Sequence, residues 1–240
     1  MSIQKIQQHY NEFANIYDDR YDSPRGKIYH QHLCNHLIKR LPNKKILLDI
    51  GCGTGLFMNQ YVVGGGRAVG IDISSGMVHH GRQRCPENEF CIGTANMLPF
   101  QDATFDAITS LLAFSYIPDP DTMLRESYRV LKPGGQIAIC TLSRTVLTSI
   151  VPLAYRIGEQ LKIKSVCVGD FGEHYYTNDE MTSLLLKAGF KKISVSRCTF
   201  AHIGLADPIF KLTRMVEPII EEKFPSLAYN VCVTGQKPNN

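Results

Sequence analysis

Asp49 and Asp72 are the carboxylates of this 240-residue chain whose surroundings most restrict their chemistry. Asp49 closes the apolar run Ile46-Leu47-Leu48 and stands two residues ahead of Gly51-Cys52-Gly53-Thr54-Gly55. Asp72 closes a second apolar run, Ala68-Val69-Gly70-Ile71. It lies about 20 residues beyond Gly51, the distance at which a βαβ unit sets an acid against a ribose. Glycines at 51, 53 and 55 permit a tight turn and bring backbone close to a ligand with no Cβ between. A nucleoside-containing cofactor fits this set. The dinucleotide fingerprint G-x-G-x-x-G/A needs a third glycine to pack helix on strand beside a pyrophosphate. Leu56 stands at that position. An acid ahead of the turn would repel a pyrophosphate and suits a cation, such as the ammonium of an amino acid.

Asp49-x-Gly51-x-Gly53-x-Gly55 followed by a ribose-directed acid resembles the class I S-adenosylmethionine-dependent methyltransferases. Further segments carry the resemblance in chain order. Gly93-Thr94-Ala95-Asn96-Met97-Leu98-Pro99-Phe100 is similar to the family's segment after its third strand. Phe105-Asp106-Ala107-Ile108 is similar to the fourth strand, and Arg129-Val130-Leu131-Lys132-Pro133-Gly134-Gly135 to the turn into the fifth. Tyr176-Thr177 and Ala188-Gly189-Phe190 bracket a helix as they do before the sixth strand. The likeness is dense over 45–142 and looser elsewhere. It extends to the small-molecule, type 11 members, including the ubiquinone and menaquinone C-methyltransferases.

The resemblance implies S-adenosylmethionine as cofactor and a role for each matching residue. Asp49 would shape the loop near the ammonium, with Gly51, Cys52 and Gly53 along the methionine moiety. Asp72 would accept from both ribose hydroxyls, and Ile73 and Met77 would flank the adenine. Ala95 would meet the adenine edge, with Thr94, Asn96 and Met97 around it and Leu111 at the end of the fourth strand. Thr94 stands where the family often has an Asp; Asn96 could compensate. Tyr17, with Tyr10 before it, would close over the cofactor. A sulfonium methyl is already activated, so alignment alone can supply about 7–11 kcal/mol of barrier reduction. A base is needed only if the acceptor must lose a proton. His174 and Tyr176, just ahead of a helix at 178–188, are the candidates. No Asp/His set of the catechol-methylating kind is present, and no metal is expected.

The elements that must position these residues follow from periodicity. Ile6, Tyr10, Phe13 and Tyr17 mark one face of a helix over 4–17, and a second helix fits 25–40. Strands are expected at 45–50, 67–72, 89–92, 105–111 and 136–142. Helices are expected from Thr54 to Tyr61, after a Ser74-Ser75 cap, and over 120–130. Residues 191–198 and 228–235 suit a terminal antiparallel hairpin. The fold expected is therefore α/β: a doubly wound, mostly parallel, Rossmann-like seven-stranded sheet whose last strand is antiparallel. Two amphipathic stretches fall outside the alternation: 145–164, and a helix within 201–226 capped by Asp207. The chain then reads as one domain, 1–240, with a helical cap over 1–40 and substrate-lid segments at 145–176 and 201–226.

Composition bounds the partners. A net charge of +4 comes from scattered lysines and arginines with only short pairs, such as Lys44-Lys45. No nucleic-acid stripe is present, and a small-molecule acceptor is expected. Eight cysteines include no C-x-x-C pair. Cys140, Cys198 and Cys232 sit in apolar strands, where a free thiol behaves as a small hydrophobe. The N-terminus lacks a hydrophobic signal region, and no apolar run reaches the ~18 residues of a spanning helix. A reducing cytoplasm is the expected location. The sequence leaves two other readings open: a nucleic-acid or protein methyltransferase, and a non-catalytic S-adenosylmethionine-binding module.

Overall fold

The computed structural model of the chain describes residues 2–42, 45–145 and 173–239. β1 (Ile46–Ile50) is apolar apart from Asp49 and buried over its last four residues, as a strand covered on both faces must be. β2 (Arg67–Asp72), β3 (Glu89–Ile92), β4 (Phe105–Leu111) and β5 (Leu131–Leu142) join it in parallel. β6 (Lys191–Cys198) and β7 (Asn230–Gln236) complete the sheet in the order β3-β2-β1-β4-β5-β7-β6. β7 runs antiparallel to both neighbours. The strand order reverses between β1 and β4, so a ligand crevice opens beyond their carboxyl ends.

Helices cover both faces. α1 (Ile3–Phe13), the short α2 (Asp19–Asp22) and α3 (Pro24–Ile38) precede the sheet. α4 (Leu56–Val63) and α5 (Ser75–Arg84) follow β1 and β2; α6 (Pro120–Val130), α7 (Asn178–Lys187) and α8 (Asp207–Lys223) come later. Leu33 and Leu37 of α3 and Met58 of α4 share one core layer, while Met123 and Leu124 of α6 and Met181 and Leu185 of α7 share the other. Among the described residues, no helix is long and apolar enough to cross a membrane.

Several boundaries differ from the periodicity. α1 stops at Phe13, and Tyr17 lies in the turn beyond it. α4 starts at Leu56 because Gly55 caps it in a left-handed conformation (φ 78°). β5 begins at Leu131, which pairs with Phe105 before the register slips and resumes at Ala107 and Gln136. The expected helix over 145–164 and most of the 145–176 lid lie outside the described residues. Asp207 is the first residue of α8 and pairs with Arg25 at 2.9 Å, leaving Ala206 as the cap. α8 also turns its apolar stripe outward. Ile209, Leu212 and Ile219 are more than half exposed, whereas Phe210 and Glu217 are buried. The cause is polar: Glu217 Oε1 accepts the N–H groups of Phe200 and Ala201 at 2.7 and 2.8 Å, and Glu217 pairs with Arg214.

Candidate active site

The turn from β1 into α4 forms the floor of a cleft. Gly51 has φ 73°, and a Cβ there would come within 2.2 Å of the Ala113 methyl group. The fold itself therefore requires glycine at 51. At Gly53 (φ 53°) a Cβ would meet no protein atom within 4 Å. That open side is where a ligand can approach the backbone. Gly53 donates its N–H to Asp72 Oδ2 at 2.8 Å, and Ser74 donates its own to Oδ1 at 2.9 Å. Burial raises the Asp72 carboxyl above the usual range, and these two N–H groups work against that rise. A third backbone N–H, that of Ile73, acts on the same carboxyl in the same direction.

Asp49 lies beneath the turn. It is 2 % exposed and accepts the Thr109 hydroxyl at 2.8 Å, from the residue directly opposite it on β4. Burial pushes its carboxyl up to about 7, with the Thr109 bond opposing and Asp72 adding repulsion. Asp49 does not line the cleft.

The cleft is lined mostly by apolar side chains with a few polar groups among them, as small-molecule sites are. Gly51, Gly53 and Asp72 face it from the floor, Ile73 and Met77 from one wall, and Thr94, Ala95 and Asn96 from another. Leu111 and Ala113 line it at the end of β4, and Tyr17 faces it from above. Thr94 Oγ1 accepts the Asn96 N–H at 3.1 Å and shapes its own loop. Two expected residues turn away. The Cys52 side chain enters the core against Gly70, because its neighbour Gly51 is the residue that faces the cleft. Met97 is 73 % exposed at the tip of its turn.

A roof covers the opening. Ile3, Ile6 and Tyr10 of α1 line the cleft with Tyr17. Gln7 donates to the Ile73 carbonyl at 3.0 Å, and Asn11 accepts from the Ser74 hydroxyl at 2.7 Å and the Gly76 N–H at 3.1 Å. Asp18 accepts from Thr54 of the glycine turn and from Arg84 of α5, both at 2.6 Å. The cap is thus tied to the same loops that form the floor. Tyr116, on a 3₁₀ turn after β4, completes an aromatic cluster with its ring 5.8 Å from that of Tyr10. Burial holds the phenols of Tyr10, Tyr17 and Tyr116 above their ordinary value. No motif marks Tyr116 or Asn11; the position of Tyr116 just past a strand end was the only available signal.

His174 and Tyr176 come together, rings 4.3 Å apart, but line a neighbouring cavity with Glu180 and Lys187. Tyr116, Ile117 and Pro118 form the wall shared by the two spaces. The backbone N–H of His174 donates to the Ser115 carbonyl at 3.0 Å and fixes the loop that carries the ring. Tyr176 is 4 % exposed and packed on Phe114, and burial pushes its phenol up to about 12. Burial thus favours the protonated phenol.

Comparison with known proteins accords with this geometry. A methyltransferase domain family matches residues 48–139. A demethylmenaquinone methyltransferase of Streptomyces griseus is 33 % identical over 175 residues, covering 68 % of this chain and 76 % of the relative. Its Streptomyces avermitilis counterpart is 30 % identical over 217 residues, 81 % of this chain and 93 % of the relative. A malonyl-[acyl-carrier protein] O-methyltransferase of Erwinia pyrifoliae is 37 % identical over 43 % of its own length and 47 % of this chain. Among solved structures, a methyltransferase of Thermotoga maritima aligns with a TM-score of 0.72 at 23 % identity, over 97 % of this chain and 99 % of that one. That last likeness shows the fold alone. The Streptomyces matches are too long and too close for fold likeness only: the chain belongs to the class I S-adenosylmethionine-dependent methyltransferases.

Proposed function

We propose that the chain holds S-adenosylmethionine in the cleft between the glycine turn and α1 and directs methyl transfer to a small apolar or aromatic acceptor. The observation that carries this reading is the roof. Ile3, Ile6, Tyr10 and Tyr17 close an apolar, aromatic surface over a floor that presents Asp72 and Gly53. The cofactor supplies a methyl group already activated on a sulfonium. The chain supplies alignment. Asp72 accepts the two ribose hydroxyls, and Gly51 and Gly53 offer backbone to the methionine moiety. Ile73 and Met77 sandwich the adenine, and Thr94, Ala95 and Asn96 meet its edge. The faces of Tyr10 and Tyr17 attract a nearby cation. His174, beyond the Tyr116 wall, is the candidate to orient an acceptor or take its proton. No metal enters the transfer itself, and no added metal ion is needed for turnover.

The acceptor class follows from that lining and from the relatives' names. A hydroxylated aromatic ring of the demethylmenaquinone kind fits an apolar roof; a carboxyl acceptor is the second reading, favoured by the match to the malonyl-carrier O-methyltransferase. The enzyme works as a single domain on a small molecule in the cytoplasm, with no nucleic acid. Transfer of labelled methyl to a panel of reduced demethylmenaquinone, a malonyl thioester, tRNA and a peptide is the test. Label in the first is expected. Label only in tRNA or peptide contradicts the reading, and cofactor binding with no transfer to any acceptor would make the chain a non-catalytic module.

A further inference from the structure

β5, β7 and β6 lie side by side, and each sends one thiol into the core layer that holds Leu33 and Leu37 of α3. These are Cys140, Cys232 and Cys198. Cys140 and Cys232 are direct cross-strand partners, and Cys198 sits two residues beyond Ser196, the β6 partner of Cys232. Sγ of Cys198 lies 3.8 Å from that of Cys140 and 3.4 Å from that of Cys232. All three are free thiols, at most 1 % exposed. The imidazole of His36 reaches the same point from α3. One of its nitrogens and the sulfurs of Cys198 and Cys232 all lie within 4.8 Å of one another.

Each thiol alone packs as a small hydrophobe, but three of them converging with an imidazole also make a ligand set. Aliphatic side chains fill the space equally well without polar atoms. The observed separations match a different use. Sulfurs bound to a tetrahedral Zn²⁺ at about 2.3 Å stand about 3.8 Å apart. Thiolate and imidazole are the ligands that select zinc and cuprous ions over hard cations. Three neighbouring strands hold the sulfurs; binding would draw Cys140 toward His36 and leave His36 to use its other nitrogen or give up the 2.9 Å contact of Nε2 with the Ser196 hydroxyl. None of the four residues lines the cleft. The primary sequence has no C-x-x-C spacing, and the set exists only through strand pairing.

We propose that Cys140, Cys198, Cys232 and His36 form a closed, structural site for a soft d¹⁰ cation, Zn²⁺ or Cu⁺, which pins α3 to the sheet. His36, Cys198 and Cys232 already bring one ligand atom each within 4.8 Å of one another, and Zn²⁺ takes Cys140 as its fourth ligand once that thiol moves toward His36. Cu⁺ takes three: Cys198, Cys232 and His36. Each coordinating thiol gives its proton to solvent, and His36 binds through an unprotonated nitrogen. Three thiolates, a neutral imidazole and Zn²⁺ carry one net negative charge. Arg40, whose guanidinium donates to the His36 carbonyl at 2.5 Å, stands beside it.

Elemental analysis of the full chain, purified under reducing conditions without chelator, should find about one zinc or one copper per chain, and which it is decides between the two. The metal-stripped, reduced chain loaded with Co²⁺ should show thiolate-to-cobalt charge transfer and the strong d–d bands of a tetrahedral site. A Cys198→Ser/Cys232→Ser double variant should lose those bands, while Cys91→Ser keeps them. If the double variant does not fold, His36→Gln should weaken zinc by at least about ten-fold in chelator competition. Neither zinc nor copper in the purified chain together with no cobalt spectrum would overturn the proposal. So would a cobalt spectrum that survives the double variant, or an unchanged affinity in His36→Gln.

Discussion

Asp49 is buried in front of the turn with one hydroxyl for company, and its ionisation is therefore tied to folding. Its ordinary value is 3.8, and in the fold it stands at about 7. The folded state keeps this proton where the unfolded chain has lost it. Stability from Asp49 is thus full below about 3.8 and is lost as pH rises to about 7. Asp49→Asn, which still accepts from Thr109, should gain on the parent by roughly 2–4 kcal/mol between pH 4 and pH 8. Melting curves across that range check it, and parallel curves for the two proteins would refute it. If the carboxylate serves an ammonium, the same variant binds S-adenosylmethionine less tightly at pH 8. The buried phenols make a second residue-scale prediction. Tyr10, Tyr17, Tyr116 and Tyr176 are all held protonated by burial. Rate–pH profiles of the parent and Tyr176→Phe should keep the same shape up to pH ~9; a basic limb lost in the variant would make Tyr176 the base. At this scale the sequence marks backbone segments well and side-chain directions poorly. Gly51, Gly53 and Asp72 face the cleft as their spacing implies, yet Cys52 and Met97, next in line within the same motifs, point into the core and the solvent. Motif spacing does not encode the rotation of each residue about the turn.

α1 and the turn after it join the molecule through side chains on the rim of the cleft. Asn11, Gln7 and Asp18 all bond to loops that form its floor or wall. No strand partner holds them. Lids come from the least stable part of a fold and close over bound ligand. Hydrogen exchange in residues 1–20 should therefore slow on adding cofactor by more than it does in β1 or β4. Deleting 1–20 should leave a folded protein with much lower turnover. Normal turnover in the truncated protein, or exchange indifferent to cofactor, would make α1 ordinary packing. Strand and helix identities were legible here because each element alternates or repeats cleanly. α8 shows the limit. Its amphipathic pattern marks the helix, but Glu217 is drawn inside by two backbone N–H groups and turns Ile209, Leu212 and Ile219 outward. Periodicity measures hydrophobic spacing and is blind to a buried carboxylate satisfied by distant backbone.

Topology is the most legible level of the whole molecule. Strands alternating with helices through residue 142 force parallel pairing, and the reversal between β1 and β4 places the crevice beside Gly51, Asp72 and Leu111. The acceptor side is far less legible. Tyr116, His174 and Lys187 meet only because a 3₁₀ turn, a loop and α7 converge, and nothing in their sequence spacing announces it. The central claim is that the floor and roof form one S-adenosylmethionine site in which Asp72 holds the ribose. Titration calorimetry with S-adenosylhomocysteine, against NAD as comparator, tests it most directly. One-site binding of the first and none of the second are predicted. Asp72→Ala should cost roughly 2–4 kcal/mol, about 30- to 1000-fold in Kd, since both hydroxyls lose a charged acceptor. Tight NAD binding without S-adenosylhomocysteine binding, or an Asp72→Ala protein with unchanged affinity, would contradict it.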